Sequence, residues 1–166
     1  MTGFDWAGLS AARNATQDAV PEMVNHALRV LEDLLEETDH VCTFTLVDGP
    51  LTADGVIASV DALLPANCRV SALEPVGSWS TTVRAALPGL FVPGRQPYAW
   101  AEQGAARTLA EALADWAVAL MRRLWPDSAE SWTLTVQARD WYEGAYVDVV
   151  VRVGDRVWLL HLGVSD

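Results

Sequence analysis

The sequence predicts a single α+β domain, with two or three helices packed on a mixed sheet that ends in a three-stranded antiparallel meander. Three observations carry this expectation. Apolar residues recur at three- and four-residue spacing in two long stretches, they alternate with polar ones from Trp132 onward, and no linker-like segment divides the 166 residues. That length suits one full core and is short for two. The domain is expected to span 1–166, with Phe4, Trp6 and Leu9 placing residues 1–17 in a short helix or a docked arm.

The first helical stretch carries Val20, Val24, Ala27, Leu28, Leu31, Leu34 and Leu35 on one face, with Pro21 in the first turn, where its missing N–H costs nothing. Its polar face turns acidic at Glu32, Asp33, Glu36, Glu37 and Asp39, where the helix dipole already disfavours negative charge. This patch is either a solvated surface or a docking site for a basic one. Val41 to Val47 alternates as a strand closed by Asp48-Gly49-Pro50. Thr52 is placed to cap a short helix through Val56, Ile57, Val60, Leu63 and Leu64, which Pro65 ends before a strand from Cys68 to Leu73.

That strand–helix–strand order suggests a right-handed parallel crossover. Its loops would leave the carboxyl ends of parallel strands, where open α/β sheets bind ligands, which makes Asp48, Ser78 and Trp79 ligand-binding candidates. A short helix capped by Ser80 carries Val83, Ala86 and Leu87. Beyond it, Pro88, Gly89, Pro93, Gly94 and Pro97 break the pattern around Leu90, Phe91 and Val92, which either cover the core or form a partner-binding knob.

From Tyr98 to Trp125 the longest helical pattern aligns Leu109, Leu113, Trp116, Leu120 and Leu124, and Pro126 ends it. The meander follows. Trp132, Leu134, Val136 and Ala138 alternate with polar residues, and Ala145–Val153 and Arg156–Leu162 are joined by Gly154-Asp155, a pair suited to a primed turn. That turn sets Val151 opposite Trp158, Val149 opposite Leu160 and Asp148 opposite His161. With Glu143-Gly144 as the preceding turn, Arg139 joins them in a row. A four-residue loop, Asp140 to Glu143, puts Thr135 there instead. A carboxylate orienting a histidine is the geometry of general-base catalysis, and an arginine beside it suits an anionic substrate. Asp148, His161 and Arg139 are therefore the catalytic candidates, with no nucleophile assigned.

Composition narrows the chemistry. Net charge is −11 and the isoelectric point about 4.5, which opposes nucleic acid and anionic membrane and suits a basic protein partner. Every basic residue is arginine, a bias of GC-rich bacterial genes that removes Schiff-base lysines and lysine-containing phosphate loops. Two cysteines at unrelated positions support neither a disulfide framework nor a C-x-x-C metal site. His40, Cys42 and Cys68 are too few for a metal centre, and no cofactor motif is present. No apolar run reaches spanning length and the first residues lack a secretory leader, so the expected location is the cytoplasm.

The expected function is that of a noncatalytic, acidic, tryptophan-rich module that docks a partner protein, with a hydrolase or transferase using Asp148 and His161, or a small-molecule receptor, as alternatives. Small acidic α+β proteins of this composition occur among bacterial immunity proteins, secretion chaperones and accessory subunits, a likeness that rests on no motif.

Overall fold

The computed structural model describes residues 19–36, 41–90 and 104–165, and only the backbone of 34–36, 88–90, 104–107 and 110. The expected arm at 1–17, and Glu37, Asp39, Phe91 and Val92, lie outside the described residues. In chain order the elements are α1 (Val20–Glu36), β1 (Val41–Pro50), α2 (Val56–Asp61), β2 (Cys68–Pro75), α3 (Trp79–Leu90), α4 (Gly104–Met121), β3 (Glu130–Ala138), β4 (Ala145–Val153) and β5 (Arg156–Ser165). The α+β class is as expected.

The sheet has five strands in the order β1-β5-β4-β3-β2, and every neighbouring pair is antiparallel. This replaces the expected mixed sheet and its parallel crossover. β1 and β2 run in the same direction but occupy opposite edges, with three strands between them. The physical reason lies in β5, whose residues from Val157 to Val164 are all buried. A strand apolar on both faces belongs inside a sheet, and β1 supplies the second ladder that β5 needs, pairing Phe44 with Leu162 and Leu46 with Leu160. The β1–β2 connection must then cross the sheet, and α2 packs against β5 and β2 on the way.

Two cores result, one on each face. The larger joins α1, α3 and α4 to Phe44, Leu46, Val149, Val151, Trp158, Leu160 and Leu162. At its centre Trp79 and Trp125 meet edge to face at 5.0 Å, Trp125 and Trp158 at 6.2 Å, and the Trp79 indole N–H donates to the Pro126 carbonyl at 3.1 Å. On α4 the first buried side chain among those described is Leu113, while Leu109, expected within the stripe, is exposed. The smaller core gathers Val60, Leu64, Cys68, Leu134, Val150, Val157 and Leu159 beneath α2.

Helix starts differ in detail from expectation. Ser78, not Ser80, caps α3, its hydroxyl accepting the Thr81 N–H at 3.3 Å. α2 begins without a side-chain cap at Gly55, whose φ of 92° suits glycine, while the Thr52 backbone N–H is taken by the Ser59 hydroxyl at 2.8 Å. α3 also continues past Pro88, where a break was expected.

Candidate functional site

The hairpin between β4 and β5 has the register its turn demands. Gly154 takes a φ of 59°, Val153 pairs with Arg156, and Asp148 stands opposite His161. Both side chains point to the face carrying the smaller core. That face is covered by α2 and by the β3–β4 connection, so the pair is buried: Asp148 is 1% exposed and His161 8%.

Here Asp148 Oδ1 lies 2.6 Å from His161 Nδ1, and the Tyr142 hydroxyl donates to Asp148 Oδ2 at 2.8 Å while standing 3.0 Å from the same nitrogen. The other ring nitrogen, Nε2, faces Glu143 Oε1 at 3.5 Å. Glu143 is itself held by the Ser165 hydroxyl, which donates to its Oε2. A glycine makes this possible, because a Cβ on Gly163 would lie 2.6 Å from His161 Nε2 and 2.7 Å from Glu143 Cγ. The histidine is thus bracketed by two carboxylates.

Its electrostatics follow. Burial alone lowers the affinity of His161 for its second proton, but the hydrogen bond and charge of Asp148, then those of Glu143, outweigh it and raise the pKa above the usual histidine value. Burial, then the neighbouring Asp148 charge, push the Tyr142 phenol far up, so it stays a neutral donor. Cys68 lines the same depression, and burial raises its thiol too, with Arg69 lowering and Asp148 adding to the effect. A protonated thiol is a poor nucleophile.

Above this cluster is an open groove of about 290 Å³. Thr43, Thr45 and Val47 of β1 form one side, Leu63, Leu64 and Pro65 another, and Trp141, Tyr142 and Glu143 the third. Its rim is apolar and accessible: Trp141 is 64% exposed and Val47 40%.

Arg139 is not part of this arrangement. Leu134 occupies the position opposite Asp148, so neither Arg139 nor Thr135 stands there. The β3–β4 pairing stops at Leu134, and the Tyr146 hydroxyl accepts the Val136 N–H that has left the ladder, at 3.2 Å. The freed segment turns inward and delivers Tyr142 and Glu143, residues that sequence reasoning treated only as turn. Two aromatics followed by an acid, Trp141-Tyr142-Glu143, were the available signal.

The ligand candidates do not converge either. Asp48 pairs with Arg156, Ser78 caps α3, and Trp79 is fully buried against Trp125, so each is committed to a contact of its own. Of the acidic patch, Glu32 is half-buried and accepts the Phe44 N–H on the edge of β1, while Asp33 is exposed. The side chains of Glu36 and Leu90 are not described. Among the described residues, no group of three or more His, Cys, Asp or Glu is arranged to hold a metal ion, and no helix is long and apolar enough to cross a membrane. Compared with known proteins, the chain is matched by no protein-family model, no curated protein and no solved structure.

Proposed function

We propose that this protein is a noncatalytic module that docks a partner protein with a basic surface, using the groove above His161 as its contact. The observation that carries the reading is the groove's rim, where exposed Trp141 and Val47 line a depression together with the acidic Glu143. Tryptophan anchors are enriched at the energetic centres of interfaces, and a chain of net charge −11 steers basic partners toward itself. The state of His161 supports the same reading, since both of its nitrogens face carboxylates and the nearby thiol is held protonated.

The test begins with the partner retained by the tagged full chain from host lysate, followed by binding kinetics with that purified partner. Association is expected to slow as salt rises, and Trp141→Ala to weaken binding about tenfold or more, a cost of about 1.4 kcal/mol. Reversing Asp33 and Glu37 to lysine reads the helix patch separately, without touching Glu32 and its bond to β1. Binding insensitive to both salt and Trp141→Ala, or no stoichiometric partner, would reject the reading.

A second reading has one specific observation behind it: the 2.6 Å contact of Asp148 with His161 at the groove's floor, the pairing of a hydrolase general base. It requires Glu143 to leave Nε2 when substrate enters. Hydrolysis of activated esters that follows a single titration and disappears in a folded His161→Gln variant would favour it. Turnover that persists in that variant would remove it.

A further inference from the structure

A second depression, of about 250 Å³, lies at the open end of the β2–β3 ladder and is lined by Ala66, Asn67, Arg69, Gln137, Ala138 and Arg139. The register explains the lining. Arg69 pairs with Gln137 and Cys68 with Ala138, and the Arg139 N–H then donates to the Asn67 carbonyl at 3.1 Å. Cys68 and Ala138 belong to the smaller core, so their strand neighbours Arg69 and Gln137 project to the opposite face of the sheet. Asn67 and Arg139 stand just beyond the strand ends, and Asn67 also lines the groove above His161. All four longer side chains, two guanidiniums and two carboxamides, line this one depression.

Two features set this arrangement apart from an ordinary polar surface. Arg84, Arg122, Arg152 and Arg156 each pair with a carboxylate, whereas neither Arg69 nor Arg139 forms an ion pair with any described residue. In a chain with 22 acidic residues and 11 arginines, two guanidiniums share one cleft with no ion-pair partner among the described residues. Arg69 is also held in place, its Nη1 donating to the Ala66 carbonyl at 3.2 Å and to that of Cys68. Its Nη2 and Nε hydrogens have no acceptor among the described residues and remain for a ligand. The Asn67 carboxamide is oriented by the Cys68 thiol, 3.5 Å from its Oδ1, which leaves the amide nitrogen as donor.

We propose that this cleft binds the phosphoryl group of a small phosphate monoester or of free phosphate. The lining supplies four donor side chains, two of them positively charged, which matches a tetrahedral dianion better than a planar carboxylate, for which one guanidinium fork suffices. The chain's overall acidity does not forbid this. At physiological salt, charges beyond about 8 Å are largely screened, whereas the two adjacent arginines are not.

Calorimetric titration of the full chain with inorganic phosphate, methyl phosphate and acetate, at constant ionic strength set with chloride, tests the proposal. Saturable one-site binding of at least one phosphate species is expected, with acetate at least tenfold weaker. Arg69→Gln and Arg139→Gln, both at exposed positions, should each weaken it tenfold or more while circular dichroism stays unchanged. Tighter binding of methyl phosphate identifies the monoester as the ligand class, and tighter binding of inorganic phosphate identifies the free anion. Non-saturable heats for both phosphate species, equal affinity for acetate, or binding unchanged in both variants would overturn the site.

Discussion

His161 shows how far a single residue's neighbours can be read in advance. Its pairing with Asp148 follows from a two-residue turn six positions upstream of the histidine, and the structure places the two 2.6 Å apart. Glu143 and Tyr142 were not legible, because a loop's direction depends on what it packs against. The bracketed histidine has a consequence for stability. Its folded pKa lies above its unfolded value of about 6.5, so the contribution is fully present below that value and is lost as pH rises through the folded pKa. Urea unfolding of the wild type and of His161→Gln, at pH values from about 5.5 to 9, should show a free-energy difference that shrinks as pH rises. A difference that stays constant or grows would mean that the protonated histidine does not stabilise the fold.

At the scale of elements, the edges of the sheet are closed by side chains from helices. Asn25 of α1 accepts the Leu46 N–H at 2.8 Å and donates to the Leu46 carbonyl at 2.9 Å, and Glu32 accepts the Phe44 N–H one register step along. On the opposite edge Asp61 of α2 accepts the Val70 N–H at 2.7 Å, beside the irregularity between Val70 and Ala72. Free strand edges invite pairing with other chains, and these contacts block it. Asn25→Ala should therefore cost about 1–3 kcal/mol, toward the lower figure because water reaches the half-buried site, and should speed exchange of the Leu46 amide. Unaltered stability together with unaltered exchange would show that Asn25 is dispensable to the edge. Glu32 was legible as part of an acidic run but not as a strand partner, since its acceptor role exists only once α1 lies along β1.

For the whole molecule, the sheet works as a partition. The helical layer covers one face, and the other carries a smaller core, the histidine cluster and the groove. An antiparallel sheet can leave one face accessible, and this fold covers that face with only α2 and one inward-turned loop. The docking surface proposed above sits in the remaining gap, on the face opposite the helical layer. Strand order removes the parallel crossover on which the expected ligand site rested, and Trp79 is fully buried in the larger core.

The sequence by itself determined the α+β class, the helical and strand periods, the tight turn at Gly154-Asp155 and the Asp148–His161 pairing, because each is set by interactions between residues close in the chain. Tertiary structure alone decided the order of the strands, the inward path of Trp141-Tyr142-Glu143, the edge contacts of Asn25 and Glu32, and the convergence of Arg69 with Arg139. Those features depend on segments far apart in sequence competing for the same buried surface. A periodic pattern states which face of an element is apolar and leaves open which partner will cover it.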